Sequence, residues 1–390
     1  MEALQRIAVQ QFCLPFIQRF LKSIVGDSSE TLRVVIPSVG RELTYGKESN
    51  NNEQASEVVT LVINDPLRMF WRLLLDAKMG LGESFMLGYW DASPTPTQLL
   101  NLLIRSKKSK RQVSKKRWSL RQALMGCVVE GIRSTVAFVN YLTHRLRDNT
   151  IGQSAKNIED HYDLGNEMFK EFLDESMTYS CAVFDNVERP CLSFKELEEA
   201  QMRKIDRLLD LLDLKPNDHV LEIGCGWGAA AIRGVQRSGC SWTGITLSHE
   251  QLVWAKEKVT EAGLDERIEL RLQDYRLTRG TFTKIISVEM IEAVGKDFLP
   301  QYFETINERL KEGGRAVLQA IICPDAYYDR YCRSSDFIKK YIFPGGHMPS
   351  IGAVASSLPA SLSVQDKSHI GLHYAKTLDM WFRLVIVKWL

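Results

Sequence analysis

The chain has 390 residues, of which 45% are hydrophobic and 25% charged, and its formal net charge is +2. This composition is typical of a globular protein, and the length favours two domains. Because no run of eighteen uncharged apolar residues occurs and the eight cysteines form no Cys-x-x-Cys pair, the sequence argues against a membrane-spanning helix, a zinc site and a secreted disulfide framework. We expect the protein to reside in a reducing compartment.

The near-neutral total conceals an asymmetry of charge. Residues 1–150 carry 21 Lys and Arg against 13 Asp and Glu, whereas residues 151–390 carry 29 against 35. Much of the excess lies in residues 105–117, where eight of thirteen side chains are basic. This basic run is either a solvated linker or a site for anionic lipid headgroups, to which each basic residue contributes about 1 kcal/mol. No aromatic residue interrupts it, which disfavours nucleic acid.

The first part of the sequence predicts a small domain. Apolar residues recur at helical spacing over residues 1–25 and indicate an amphipathic segment kinked at Pro15, without the layout of a secretory signal. Together with a polar loop at 47–57, this segment is assigned to residues 1–57. Residues 58–150 are expected to form a small lipid-interaction domain: a strand at 58–63, a helix at 67–75, further helical segments, the basic run and a connecting helix at 118–147.

The clearest motif is the apolar run 220–223, which leads into Gly224, Gly226 and Gly228. An apolar run followed by alternate glycines is typical of a buried strand that turns sharply into a helix. Glycines also let a ligand lie against the backbone. No Gly-Lys-Ser/Thr follows, and the spacing differs from the Gly-x-Gly-x-x-Gly dinucleotide fingerprint. The motif predicts a nucleotide-like cofactor, with a purely structural turn as the alternative.

Beyond this turn, strands and helices alternate regularly. The pattern predicts a parallel sheet of at least five strands, with ligands at the carboxyl ends of the strands. After the strand at 220–223, the predicted strands are 241–246, 267–273, 284–289 and 315–322, and the predicted helices are 229–237, 248–262 and 299–311.

Several long segments then resemble a known family. The acidic residue Glu222 before three alternate glycines is similar to motif I of class I S-adenosylmethionine-dependent methyltransferases. Residues 157–184 and 334–350 resemble signature segments of the cyclopropane-fatty-acyl-phospholipid synthase (mycolic acid cyclopropane synthase-like) family, as does the 80–103 piece. The resemblance runs from about residue 58 to 378. It implies an α/β fold of the class I methyltransferase (Rossmann-like) type, with a mostly parallel sheet and helices on both faces, plus a smaller, mainly helical N-terminal domain. The methyltransferase domain is expected at 151–390, with a C-terminus shorter than in other members.

The resemblance implies that S-adenosylmethionine is the cofactor. The residues expected to bind it are Tyr179 and Ser180 at its methionine end, Glu222, Gly224, Gly226 and Gly228 below its amino-acid part, Thr246, Leu247, Ser248 and Gln251 on the ribose side, and Gln273, Asp274 and Tyr275 on the adenine side.

The same resemblance implies that the sulfonium methyl is added to a cis double bond of a phospholipid acyl chain. An alkene is a weak nucleophile, so the reaction needs close alignment, exclusion of water and a base that removes a proton to close the ring. Bicarbonate is the base implied, bound by Cys181, Glu292, the backbone of Ile321, Tyr374 and Gln319. Gln319 and Ala293 stand where many members have histidine, and an amide can hydrogen-bond the anion but cannot carry a proton.

The expected partners follow from this interpretation. They are a membrane phospholipid with an unsaturated acyl chain and an anionic membrane surface bound through residues 105–117, with no nucleic acid. We expect a cytoplasmic protein peripherally associated with the membrane, and a homodimer is the candidate oligomer. Three alternatives stay open: methylation at carbon of the acyl group without ring closure, N-methylation of a small amine, and a lipid- or cofactor-binding protein with little or no turnover.

Overall fold

The computed structural model describes residues 9–25, 30–46, 58–109, 149–154, 165–189 and 193–389, together with residues 131, 134–136, 139 and 141. The chain divides into two compact units, Met1–Leu142 and Thr143–Leu390. Residues 110–117 of the basic run, most of the predicted connecting helix and residues 157–164 of the first signature segment lie outside the described residues. Among the described helices, none has the length and apolar character that crossing a bilayer requires.

A four-stranded sheet organises the N-terminal unit. Its strands are β1 (Leu32–Ile36), β2 (Arg41–Tyr45), β3 (Val59–Ile63) and β4 (Trp90–Ser93), in the order β2-β1-β3-β4. β1 is antiparallel to β2 and parallel to β3, while β3 and β4 are antiparallel. The helices of this unit with described bounds are α1 (Leu14–Val25), α2 (Pro66–Leu75), α3 (Ala77–Met86) and α4 (Pro96–Ser109).

The sequence indicated the helices and β3 of this unit but not the other three strands. β1 and β4 are short, and each alternates buried and exposed residues, so neither forms a continuous apolar run. Because β1 pairs with β3, strands from both sides of residue 57 belong to one sheet. The unit is therefore a mixed sheet with helices, and the expectation of a mainly helical domain missed the sheet.

The C-terminal unit contains a five-stranded, wholly parallel sheet. Its strands are β5 (His219–Ile223), β6 (Ser241–Thr246), β7 (Ile268–Leu272), β8 (Phe282–Val288) and β9 (Leu310–Gln319), in the order β7-β6-β5-β8-β9. The predicted sheet is confirmed, with strand ends that shift by a few residues.

Helices cover both faces of this sheet. α6 (Phe194–Leu212), α7 (Ala229–Ser238) and α8 (His249–Glu261) contribute to one hydrophobic core, and α9 (Leu299–Arg309) contributes to another. The remaining helices are α5 (Gly165–Lys170), α10 (Asp325–Cys332), α11 (Ile351–Ser357) and α12 (Gly371–Trp389). Strand order reverses between β5 and β8, and in such sheets ligands bind at this reversal, outside the carboxyl ends of the strands.

Candidate active site

The glycine turn after β5 adopts the left-handed backbone that its sequence predicts. The φ angles of Gly224, Gly226 and Gly228 are +83°, +52° and +91°. A Cβ on Gly224 would lie 2.8 Å from Met290 Cγ, and one on Gly228 would lie 3.1 Å from Ala255 Cβ. A Cβ on Gly226 would meet no atom within 4 Å. Gly224 and Gly228 therefore allow close packing, whereas Gly226 borders open space.

That open space is a cavity at the carboxyl ends of the strands, and most of the predicted cofactor residues line it. Gly228 and Ser248 do not line it: Gly228 caps the start of α7, and the Ser248 hydroxyl accepts the Gln251 N–H at 3.3 Å at the start of α8. The predicted residues that line the cavity are Tyr179, Ser180, Glu222, Gly224, Gly226, Thr246, Leu247, Gln251, Gln273, Asp274, Tyr275 and Glu292. A glycine cradle ringed by polar groups fits S-adenosylmethionine.

The loop after β7 is fixed by a buried ion pair. Arg276 binds both carboxylate oxygens of Asp274, and the two side chains are 6% and 4% exposed. Arg276 also donates to the carbonyl oxygen of Asn149 and to the Ser154 hydroxyl. Burial disfavours the charged form of Asp274, but the Arg276 hydrogen bonds and charge outweigh it and hold the pKa of this carboxyl below its usual value. Asp274 thus anchors the loop through Arg276, a residue outside the predicted site.

Ionisable groups are buried at the base of the cavity. Lys204 of α6 is 2% exposed and donates from Nζ to the Ser180 hydroxyl at 2.7 Å. Glu222 is 3% exposed and accepts the Trp242 indole N–H at 2.9 Å. Burial raises the pKa of Glu222 to about 8 and lowers that of Lys204 to about 8. Lys204 is not among the predicted site residues. Its position with Gln201 on an otherwise apolar helix face could have indicated a buried polar site.

Replacing Glu222 with glutamine is expected to flatten the dependence of stability on pH. Between its ordinary pKa of 4.5 and the folded value of about 8, Glu222 holds more proton in the folded state, so stability falls as pH rises through this window. Glutamine cannot ionise but can still accept the Trp242 N–H. Urea unfolding across this pH window measures the effect, with exposed Glu266→Gln as the control. If the free energy of unfolding depends on pH as steeply in Glu222→Gln as in wild type, Glu222 does not hold its proton in the folded state.

Two glutamates after β8 contact the groups that the resemblance assigns to bicarbonate. Glu289 Oε1 accepts the Cys181 N–H at 2.9 Å and the Gln319 amide at 2.8 Å. Glu292 Oε1 accepts the Ile321 N–H, and its Oε2 is buried without a hydrogen-bond partner among the described residues. Burial and the Glu289 charge raise the pKa of Glu292 to about 8. Both glutamates line the cavity, whereas Cys181, Gln319 and Ile321 lie behind them.

Aromatic side chains form a wall beside this cavity. Tyr179 stacks on Phe343 with ring centroids 6.4 Å apart and lies 5.2 Å from Trp381, which also contacts Phe172. Tyr374, at the start of α12, packs against the same cluster, where burial and the Glu289 charge raise its pKa. We call Phe172, Tyr179, Phe343 and Trp381 the aromatic wall. It provides an apolar surface next to the polar cofactor residues.

The fold and the site together define an S-adenosylmethionine-dependent methyltransferase. A family model described as mycolic acid cyclopropane synthetase matches residues 150–389. The chain is 35% identical over 361 residues to the tuberculostearic acid methyltransferase UfaA1 of Mycobacterium tuberculosis, covering 91% of this chain and 79% of that protein. It therefore belongs to the mycolic acid cyclopropane synthase family, and the resemblance seen in the sequence is confirmed.

Two further comparisons support this family assignment. The cyclopropane-fatty-acyl-phospholipid synthase of Escherichia coli K12 is 32% identical over 320 residues, which are 82% of this chain and 75% of that protein. The crystal structure of mycolic acid cyclopropane synthase CmaA1 complexed with SAH and CTAB has a TM-score of 0.54 and 29% identity, covering 60% of this chain and 84% of that one. SAH is the demethylated form of S-adenosylmethionine, so its presence in that crystal structure supports S-adenosylmethionine as the methyl donor of this family.

Proposed function

We propose that this enzyme transfers the methyl group of S-adenosylmethionine to the cis double bond of an unsaturated phospholipid acyl chain and forms a cyclopropane ring. The observation that carries this proposal is that one cavity is lined by the open glycine turn, by two buried glutamates and by Tyr179 and Phe343 of the aromatic wall. The donor supplies a sulfonium methyl group, which is electrophilic enough for an alkene. A polar acceptor would not require so apolar a wall.

The residues of this enzyme account for the other needs of the reaction. The aromatic wall holds an acyl chain and excludes water, which would otherwise capture a carbocation. Glu289 and Glu292 place carboxyl groups where a proton has to be removed. We do not assign the removal of that proton to bicarbonate, because three of the expected donors, the Cys181 N–H, the Gln319 amide and the Ile321 N–H, contact the two glutamates instead.

The surface next to the cavity suits a lipid acceptor. Four apolar residues of segment 338–343 are more than a third exposed, and the last of them belongs to the aromatic wall: Ile338, Tyr341, Ile342 and Phe343. As part of the proposal, this segment and the basic run contact an anionic membrane at its cytoplasmic side. Arg105, at the start of the run, pairs with Glu30 at 2.7 Å. The homodimer stays a prediction.

Purified enzyme with labelled donor and dioleoyl phospholipid vesicles tests the proposal. The expected product has one additional methylene in each modified acyl group, with loss of the olefinic protons. A methyl-branched product without a ring would favour simple C-methylation, the chemistry that the name of UfaA1 suggests for that relative. Turnover of small amines alone would favour an N-methyltransferase. Donor binding without any product would favour a binding protein and contradict the proposal.

Replacing Glu292 with alanine is expected to lower product formation by roughly 100-fold or more, the size typical of a polar group lost from a reaction centre, because the Ile321 N–H loses its acceptor and the carboxyl group beside Glu289 is removed. Donor affinity should stay within about twofold, since the adenine and ribose sides are untouched. Product yield and calorimetric donor binding measure the two effects. Glu266→Ala is the control, and an equal loss in both variants would remove Glu292 from the site.

A further inference from the structure

The hydrogen bonds around Glu289 and Glu292 do not fit a bound bicarbonate. Of the groups assigned to the anion, the Cys181 N–H and the Gln319 amide already donate to Glu289, and the Ile321 N–H already donates to Glu292. A further anion would lie beside these carboxyl groups. Like charges that close disfavour one another, and the two cations among the described residues that line the cavity already have partners: Lys204 donates to the Ser180 hydroxyl and Arg276 binds Asp274.

The backbone of Glu289 is also unusual. Its φ angle is +50°, a conformation that side-chain-bearing residues rarely adopt and that is concentrated at functional sites. Its N–H donates to the Gln319 carbonyl at 2.8 Å, so the pairing of β8 with β9 continues through this residue. Glu289 lines the cavity beside Gly224 and Met290. The strained backbone thus places a carboxyl group where the glycine turn meets the neighbouring strand end.

The surroundings of Glu289 leave it suited to accept a proton. Two donors hold Oε1, whereas no hydrogen bond from the described residues engages Oε2. Burial raises the pKa of Glu289, and the two hydrogen bonds and the charge of Lys204 oppose that rise. Glu292, with a pKa of about 8, is the member of the pair that stays protonated near neutral pH. Two carboxyl groups this close disfavour a double negative charge, and the two hydrogen bonds and Lys204 favour placing the charge on Glu289.

We infer that the Glu289 carboxylate is the built-in base of the reaction and takes the place of bicarbonate. This rests on the proposed function. The methyl carbon bonds to one alkene carbon as its bond to sulfur breaks, the sulfur keeps that electron pair as a neutral thioether, and the positive charge then resides on the other alkene carbon. Glu289 takes a proton from the former methyl carbon, and the electron pair of that C–H bond forms the bond to the cationic carbon and closes the ring. Glu289 becomes a carboxylic acid and returns its proton to water after product release.

Three enzymes, each assayed in carbonate-free buffer and with added bicarbonate, test the inference. Wild type should form product at the same rate in both. Glu289→Gln should lose roughly 100-fold or more in rate and gain nothing from bicarbonate. Glu289→Gly accepts the positive φ angle and exposes the Cys181 N–H and the Gln319 amide, so it should be inactive without bicarbonate and recover with it. Donor affinity, measured for each variant, shows that the site is intact.

A second readout is independent of turnover. The carbon resonance of labelled bicarbonate should broaden with Glu289→Gly and not with wild type. A wild-type enzyme that binds or requires bicarbonate would overturn the inference and leave the proposed function standing, and so would full activity in Glu289→Gln. Failure of bicarbonate to bind Glu289→Gly would also overturn it. Wild type that binds the donor but forms no product under either condition would overturn the proposed function itself, and the inference with it.

Discussion

Gly226→Val is expected to weaken the binding of S-adenosylmethionine by roughly 100-fold, the equivalent of about 3 kcal/mol. Gly226 lines the cavity, and the position of its missing Cβ is open space. A valine side chain would occupy the volume that the glycine turn leaves to the donor, and a bound ligand tolerates such overpacking poorly. Isothermal calorimetry with the donor, or with its demethylated product, measures the loss.

Gly239→Val is the matched control for this substitution. Gly239 follows α7, has a φ angle of +68° and also has no atom within 4 Å of its missing Cβ, but it does not line the cavity. Both valines are strained by the left-handed backbone, so both variants should lose similar stability. Only Gly226→Val should lose donor affinity. Equal affinity in the two variants would show that the donor does not lie on the glycine turn.

Arg276→Met is expected to destabilise the C-terminal unit by about 3–5 kcal/mol. The substitution leaves the Asp274 carboxylate buried without its bidentate partner and also removes the bonds to Asn149 and Ser154. Because those residues line the same cavity, donor affinity should fall as well. Denaturant unfolding measures the change in the free energy of unfolding.

Two further variants make this prediction specific. Arg271→Met breaks a pair with Glu269 whose side chains are 37% and 58% exposed, and such a pair is worth less than about 1 kcal/mol. Combining Arg276→Met with Asp274→Asn should recover much of the lost stability, since no unpaired buried charge remains. If Arg271→Met and Arg276→Met destabilised the protein equally, Asp274 would not depend on Arg276.

The parallel sheet and the glycine turn were predictable because each leaves a local signature. Fully buried strands read as apolar runs, and the turn needs glycine where the backbone is left-handed, as at Gly224. The resemblance added the particular contact residues, and the structure brings most of them to one cavity. Ser248 and Gly228 are helix caps that do not line the cavity, and a helix cap and a ligand contact have the same sequence appearance.

The missed features depend on contacts between distant parts of the sequence. β1 becomes a strand by pairing with β3, and its own five residues are too few to indicate this. Lys204 and Glu289 differ from surface residues only in what surrounds them: Ser180 lies 24 residues before Lys204, and Gln319 lies 30 residues after Glu289. Sequence patterns show periodicity, but they do not show which charged side chains share a low-dielectric interior.

The aromatic wall and the glycine turn come from different parts of the fold. The glycine turn and Glu289 follow β5 and β8, adjacent strands at the centre of the sheet, whereas Phe343 and Trp381 come from later, peripheral segments. On the proposed function, we expect exchanges in these segments to alter which hydrocarbon is admitted without disturbing the strands that position the glycine turn and Glu289. Members of one family can therefore diverge in the acceptor they admit while the transfer chemistry stays constant.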